Sequence, residues 1–304
     1  MNSGKPKKGK LIVLGGPTGV GKTEVSIKLA RHLGCPIVSA DSRQFYKEME
    51  IGTAKPSSSQ RAEVTHYFVD FLSVEEHYSA GDYEKDVIPF LEGLFEHFDK
   101  VILTGGSGLF IEAVCSGLDQ FPEISNDVND RVESLLEREG LQYLQEELKI
   151  KDPTYYREVD LNNPRRLVRA LKVIYQSGQP YSSFRSKEKK ERSFEIFKSA
   201  IYLERSELYK AINARCDKML ERGLLQEVRS LYDKKHHRAL QTIGYREFFP
   251  YLQGKVSWEK AVSNFKKASR QYAKRQLTWF RKYSDVHWFQ PEKAQHLISL
   301  IEKS

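Results

Sequence analysis

Leu11-Ile12-Val13-Leu14-Gly15-Gly16-Pro17-Thr18-Gly19-Val20-Gly21-Lys22-Thr23 decides the fold. An apolar run leads into glycines, a Lys-Thr pair follows, and residues 24–33 continue at helical spacing. Strand, loop and helix therefore occur in order, and Gly16 to Thr23 fits G-x-x-x-x-G-K-[ST], the phosphate-cradling P-loop. Its glycines let backbone N–H groups converge on a phosphate. The helix that follows aims its positive end at the same point. Lys22 can reach the outer phosphate oxygens, and the Thr23 hydroxyl is the candidate ligand for a magnesium ion (Mg2+). The expected phosphate-binding set is Gly16, Pro17, Thr18, Gly19, Val20, Gly21, Lys22 and Thr23. It fits a di- or triphosphate equally well.

The 304-residue chain has 39% hydrophobic and 30% charged residues, the balance of a soluble globular protein. Its longest apolar runs are strand-sized, so no membrane span is expected. The basic N-terminus leads straight into the first strand without a signal-peptide core. Cys35, Cys115 and Cys216 are far apart and odd in number, which suits neither a disulfide frame nor a zinc site. A reduced, cytoplasmic protein is expected. The net charge of +8 exceeds what a metabolic kinase needs and suits a polyanion-binding protein.

Next, residues 36–40 form a β-rich run ending at Asp41-Ser42-Arg43-Gln44. Ligands of doubly wound sheets sit at the carboxyl ends of strands, so Asp41 is expected beside the P-loop. It could be a helix N-cap, a general base or a magnesium ligand. Residues 66–70, ending in Asp70, could pass for a Walker B strand. Residues 78–98 have the apolar spacing of a helix, and 101–104 read as a buried strand followed by the second Gly-rich turn, Gly105-Gly106-Ser107-Gly108. Around 116–122 the strand–helix alternation stops, and it resumes with a strand pattern at 194–203. The fold class is thus α/β, a P-loop NTPase-like parallel sheet flanked by helices. Residues 1–116 and 193–304 form the core, and 117–192 form an all-helical insertion. Within the insertion, 182–192 read as a charged polar loop. Arg165, Arg166 and Arg169 share one helix face, either as a solvated surface or as a basic cluster. Further helices are expected over 205–221, 224–232, 246–252 and 257–283. From 266 to 282 the last of these carries Lys266, Lys267, Arg270, Lys274, Arg275, Arg281 and Lys282 and no acid. A solvated helix mixes signs; a single-sign helix with aromatics interleaved suits a nucleic-acid backbone.

Several stretches come together in a fixed order: the P-loop, Asp41-Ser42-Arg43-Gln44-Phe45-Tyr46, Ile51-Gly52-Thr53-Ala54-Lys55-Pro56 and Thr104-Gly105-Gly106-Ser107-Gly108-Leu109-Phe110. Asn163-Pro164-Arg165-Arg166-Leu167-Val168-Arg169-Ala170, Ile243-Gly244-Tyr245-Arg246-Glu247 and residues 269–280 follow. Together they closely resemble the bacterial tRNA dimethylallyltransferases, or tRNA isopentenyltransferases, over nearly the whole chain. Ser107 stands where the family usually has Thr, Phe110 where it has Tyr, and Gly19 where it has Ala. The zinc-finger extension of eukaryotic relatives is not expected.

The resemblance implies that the dimethylallyl group of dimethylallyl diphosphate moves to N6 of the adenosine 3′-adjacent to a tRNA anticodon, with release of diphosphate. Asp41 would orient the amine and accept its proton. Lys22, Thr23 with magnesium, and the P-loop amides would stabilise the leaving group. By the same resemblance Arg215 clamps the diphosphate. Asp41, Ser42, Arg43, Gln44, Ser107, Arg165, Arg166, Arg169, Gly244, Tyr245, Arg246, Lys274 and Arg275 would contact tRNA. A monomer is expected. The main competing reading is an ATP-dependent P-loop small-molecule kinase, with Asp70 as its Walker B aspartate. A guanine nucleotide switch would need N-K-x-D, which is missing.

Overall fold

The computed structural model describes residues 9–186 and 189–303. The basic segment ahead of residue 9, and residues 187 and 188 of the charged loop, lie outside the described residues. β1 (Lys10–Gly15) runs through the middle of a parallel sheet covered on both faces, which is why Leu11 to Leu14 are all apolar. Leu11 and Val13 pack on one side with Val38 and Leu103. Ile12 and Leu14 pack on the other with Ile37 and Ile102.

The chain continues through α1 (Lys22–Leu33), β2 (Ile37–Ser39), α2 (Ser58–Glu63), β3 (His66–Tyr67), α3 (Ala80–Phe95), β4 (Lys100–Thr104) and α4 (Gly108–Ser116). After α5 (Asn126–Lys151), α6 (Pro153–Glu158) and α7 (Pro164–Ser177) it returns to the sheet with β5 (Glu195–Ile201). α8 (Arg205–Glu221), α9 (Leu224–Ser230), α10 (Phe249–Leu252), α11 (Trp258–Phe280), β6 (His287–Phe289) and α12 (Ala294–Lys303) complete the described elements. Strand order is β3-β2-β4-β1-β5-β6. β4 inserts between β1 and β2, with Leu14 level with Thr104 and Ser39 also level with Thr104. The carboxyl ends of these three strands thus open side by side, at the point where such sheets hold their ligands.

Two compact units result: Gly117–Lys190 is one, and the other described residues form the second. The smaller unit has its own core of Val132, Leu144, Leu148, Leu167 and Leu171. Its longest helix, α5, is interrupted at Gly140 (φ 78°, ψ −178°), a conformation only glycine adopts readily.

The strand expected over 66–70 ends at Tyr67. Phe68 and Asp70 both take left-handed backbone (φ 58° and 57°). The turn is held because the Asp70 N–H donates to the Gln44 carbonyl (3.1 Å), while Lys55 and Arg61 grip its carboxylate. The expected 246–252 helix begins only at Phe249. β6 and α12 had no expected counterpart.

Candidate active site

Gly21 ends the P-loop in left-handed backbone (φ 91°), and no side chain caps α1, so the first-turn N–H groups are left for a ligand. Lys22 turns back over the loop and donates to the Gly16 (2.9 Å) and Pro17 (2.8 Å) carbonyls. Burial pulls its amine down to about 8, against Asp41, which raises it, while Arg215 adds to the lowering. Arg215, on α8, donates to the Thr18 hydroxyl. Burial, then neighbouring Arg43, pulls its guanidinium below the ordinary value.

Asp41 follows β2 at the expected place. No helix begins there, so it is not a helix N-cap. Its Oδ1 accepts the Arg43 N–H (3.1 Å) and so closes a local turn. β2 and β4 approach closely enough that a Cβ on Gly105 would stand 2.4 Å from the Ala40 carbonyl. The Ser42 N–H donates to the Ser107 hydroxyl (3.1 Å), joining the turn after β2 to the second Gly-rich turn.

Arg43 Nη2 donates to the carbonyls of Gly52 (2.6 Å) and Ile243 (2.5 Å), while its buried Nε has no partner among the described residues. Gln44 Nε2 donates to the Ala54 carbonyl (3.3 Å). The sequence thus brings Asp41, Ser42, Arg43, Gln44 and Ser107 together with the P-loop and Arg215. Thr18, Arg43 and Arg215 help line a pocket enclosing about 320 Å³ of empty space, part of it open to solvent. Ile212, Met219, Ile243, Phe265 and Tyr272 supply its apolar wall.

Not every expected contact residue faces outward. Tyr245 is fully buried and its hydroxyl donates to Glu227 (2.6 Å); its side chain packs the 243–247 loop from within. Gly244 is buried too, and Arg246 is exposed with Nε donating to Glu247 (2.8 Å). Lys274 and Arg275 are exposed on α11, and Arg165, Arg166 and Arg169 are exposed on α7 in the smaller unit. Asp70 is taken up by Lys55 and Arg61, which removes the magnesium carboxylate that a kinase reading requires.

Two residues were given no role by sequence reasoning. Gln276 of α11 is 5% exposed. Its Oε1 accepts the Thr18 N–H (2.8 Å) and its Nε2 donates to the Gly106 carbonyl (2.8 Å), so one amide ties the P-loop to the second Gly-rich turn. Glu227 of α9 accepts the N–H groups of Glu50 (3.1 Å), Ile51 (2.7 Å) and Gly52 (2.9 Å), which sets the loop whose Gly52 carbonyl holds Arg43. Gln276 lay inside a motif already singled out; Glu227 had no signal at all.

The family model for IPP transferase matches residues 44–283. A tRNA dimethylallyltransferase 1 of Phocaeicola vulgatus is 46% identical over 291 residues, covering 96% of this chain and 97% of its own. A full-length tRNA isopentenylpyrophosphate transferase structure from Bacillus halodurans superimposes with a TM-score of 0.72 at 34% identity, covering 97% of this chain and 96% of that one. The structure of a eukaryotic dimethylallyltransferase acting on tRNA gives a TM-score of 0.76 at 26% identity, covering 93% of this chain and 74% of that one.

Proposed function

The chain belongs to the IPP transferase family, and on that premise we propose that it moves the dimethylallyl group of dimethylallyl diphosphate to N6 of the adenosine 3′-adjacent to the anticodon of tRNA, releasing diphosphate. The observation that carries this reading is the crevice in which Lys22, Thr18, Arg215 and Asp41 adjoin a pocket with an apolar wall. Such a crevice suits a substrate that is anionic at one end and a short hydrocarbon at the other.

In the reaction the allylic C–O bond breaks and the N6–C bond forms. Positive charge develops on the allylic carbon and negative charge on the leaving diphosphate. Donors aimed at the leaving group are therefore the main electrostatic contribution. Lys22, the first-turn amides of α1 and Arg215 would supply them. The adenine amine must lose a proton as it is alkylated, and the Asp41 carboxylate would accept it. Its Oδ1 is already oriented by the Arg43 N–H, which leaves Oδ2 directed to the Gly106 side of the crevice.

Thr23 fits a magnesium ion: it stands in the first turn of α1, with its carbonyl taken by Ser26 and its hydroxyl without a partner among the described residues. A magnesium ion at a phosphate site takes most of its ligands from phosphate oxygens and water, so one protein hydroxyl is enough to place it. Bound there, the ion would add charge stabilisation to the departing diphosphate.

We further propose a monomer acting in the cytoplasm. No helix among the described residues is long and apolar enough to cross a membrane. The deciding experiment offers unmodified tRNA with labelled dimethylallyl diphosphate or labelled ATP. Transfer of the prenyl label to tRNA is expected; phosphoryl transfer from ATP to a small molecule would overturn the proposal.

A further inference from the structure

α7 starts with a proline and then places Arg165 and Arg166 in its first turn and Arg169 in its second. Cations there oppose the helix dipole. All three are exposed, and none has an acidic partner among the described residues. On the same helix Lys172 is paired, with Glu133 (2.5 Å) and Asn129 (2.7 Å). Unpaired cations at the wrong end of a helix point to a ligand that supplies the missing charge.

Arg169 differs from the other two. Its guanidinium carbon lies 5.1 Å from the centre of the Phe121 ring. Phe121 in turn stacks on Tyr181 at 4.8 Å and 11°, and Tyr181 meets Tyr155 at 4.5 Å. This row is braced from below. The buried Asp152 carboxylate accepts the Tyr155 N–H (2.9 Å), the Ser182 N–H (2.7 Å) and the Ser182 hydroxyl (2.8 Å). The Arg169 guanidinium thus lies over one ring of a braced aromatic row while the residue stays open to solvent.

We infer that Arg169, seated on Phe121, which is itself stacked on Tyr181, is a stacking platform for one unpaired base of the RNA rather than a phosphate contact. The inference rests on the tRNA reading above. Unpaired bases of RNA loops are captured on aromatic rings and on guanidinium planes, and an Arg already backed by a ring loses little freedom when a base lands on it. Arg165 and Arg166 sit over no ring among the described residues and remain available to phosphates. Lysine can replace a phosphate contact but cannot replace a stacking plane.

The test measures binding of a synthetic, unmodified anticodon stem-loop by fluorescence anisotropy at several salt concentrations. Arg169→Lys is expected to weaken binding about ten-fold with the salt slope retained, and Arg165→Lys to leave affinity unchanged. Phe121→Leu, which alters no charge, should weaken binding several-fold. Replacing loop nucleotides one at a time by abasic residues should reveal one position at which the wild type and Arg169→Lys become equal. That comparison stands even if Phe121→Leu fails to fold, since Arg169 is exposed. Wild-type affinity in Arg169→Lys, or a difference that persists at every abasic position, overturns the inference alone. A wild-type protein that does not bind the stem-loop overturns the transferase reading with it.

Discussion

Gln276→Met isolates the amide that joins the P-loop to the second Gly-rich turn. Methionine has nearly the volume of glutamine, so no cavity opens. Both hydrogen bonds are lost, and the Thr18 N–H and Gly106 carbonyl are left facing a thioether inside the protein. An unsatisfied buried polar group costs about 1–3 kcal/mol, so the two together should remove about 2–6 kcal/mol of stability. That is a large fraction of the ~5–15 kcal/mol that holds a typical domain folded. The chemical effect should be selective. Thr18 also receives the Arg215 hydrogen bond, so a slack Thr18 loosens the phosphate cradle. A displacement of about 1 Å at such a site lowers rate about 10²-fold. We expect kcat/KM for dimethylallyl diphosphate to fall between ten- and a hundred-fold while tRNA affinity stays within about two-fold. Gln276→Glu keeps the acceptor for Thr18 but sets a carboxylate against the Gly106 carbonyl, with Asp41 close by, and should lose more rate than Met. Urea unfolding and initial rates titrated in each substrate separately provide the readouts. A Gln276→Met protein with unchanged unfolding midpoint and unchanged KM for the diphosphate substrate would refute the reasoning.

Asp41→Asn keeps an oxygen that can accept the Arg43 N–H, so the turn and stability should survive. Single-turnover transfer should nonetheless slow by about two to four powers of ten, and a near wild-type rate would remove Asp41 as the base. Burial holds Lys22 down to about 8, and a bound diphosphate favours the charged amine, so pyrophosphate affinity should be flat below that pH on this account. Above it, binding should take up a proton and weaken with rising pH; calorimetry in two buffers, corrected for the ligand's own ionisation, should find that uptake, and its absence would refute the assignment. Neutralising Lys274 and Arg275 to Gln should lower the salt slope of tRNA binding by about two without altering pyrophosphate binding, whereas an unchanged slope would make this face of α11 a solvated surface.

The P-loop was legible because its information is local: a strand, a turn that needs glycines, and a helix start lie within thirteen consecutive residues. The buried pattern of β1 and the acid-free face of α11 were legible for the same reason, since periodicity and charge run along the chain. Asp70 was misleading because an aspartate after an apolar run looks alike whether it faces a metal or a lysine; only the left-handed turn at Phe68 and Asp70 brings Lys55 and Arg61 to it. Gln276 meets Thr18 across 258 residues and Gly106 across 170, and Glu227 reaches the 50–52 loop across about as much chain. β6 is a three-residue strand that exists because β5 offers it an edge. The sequence alone determined the phosphate cradle, the sheet that carries it and the basic helix. Tertiary structure alone added Gln276 and Glu227 to the side chains that serve that cradle, because hydrogen bonds between distant segments leave no period or spacing in the chain that makes them.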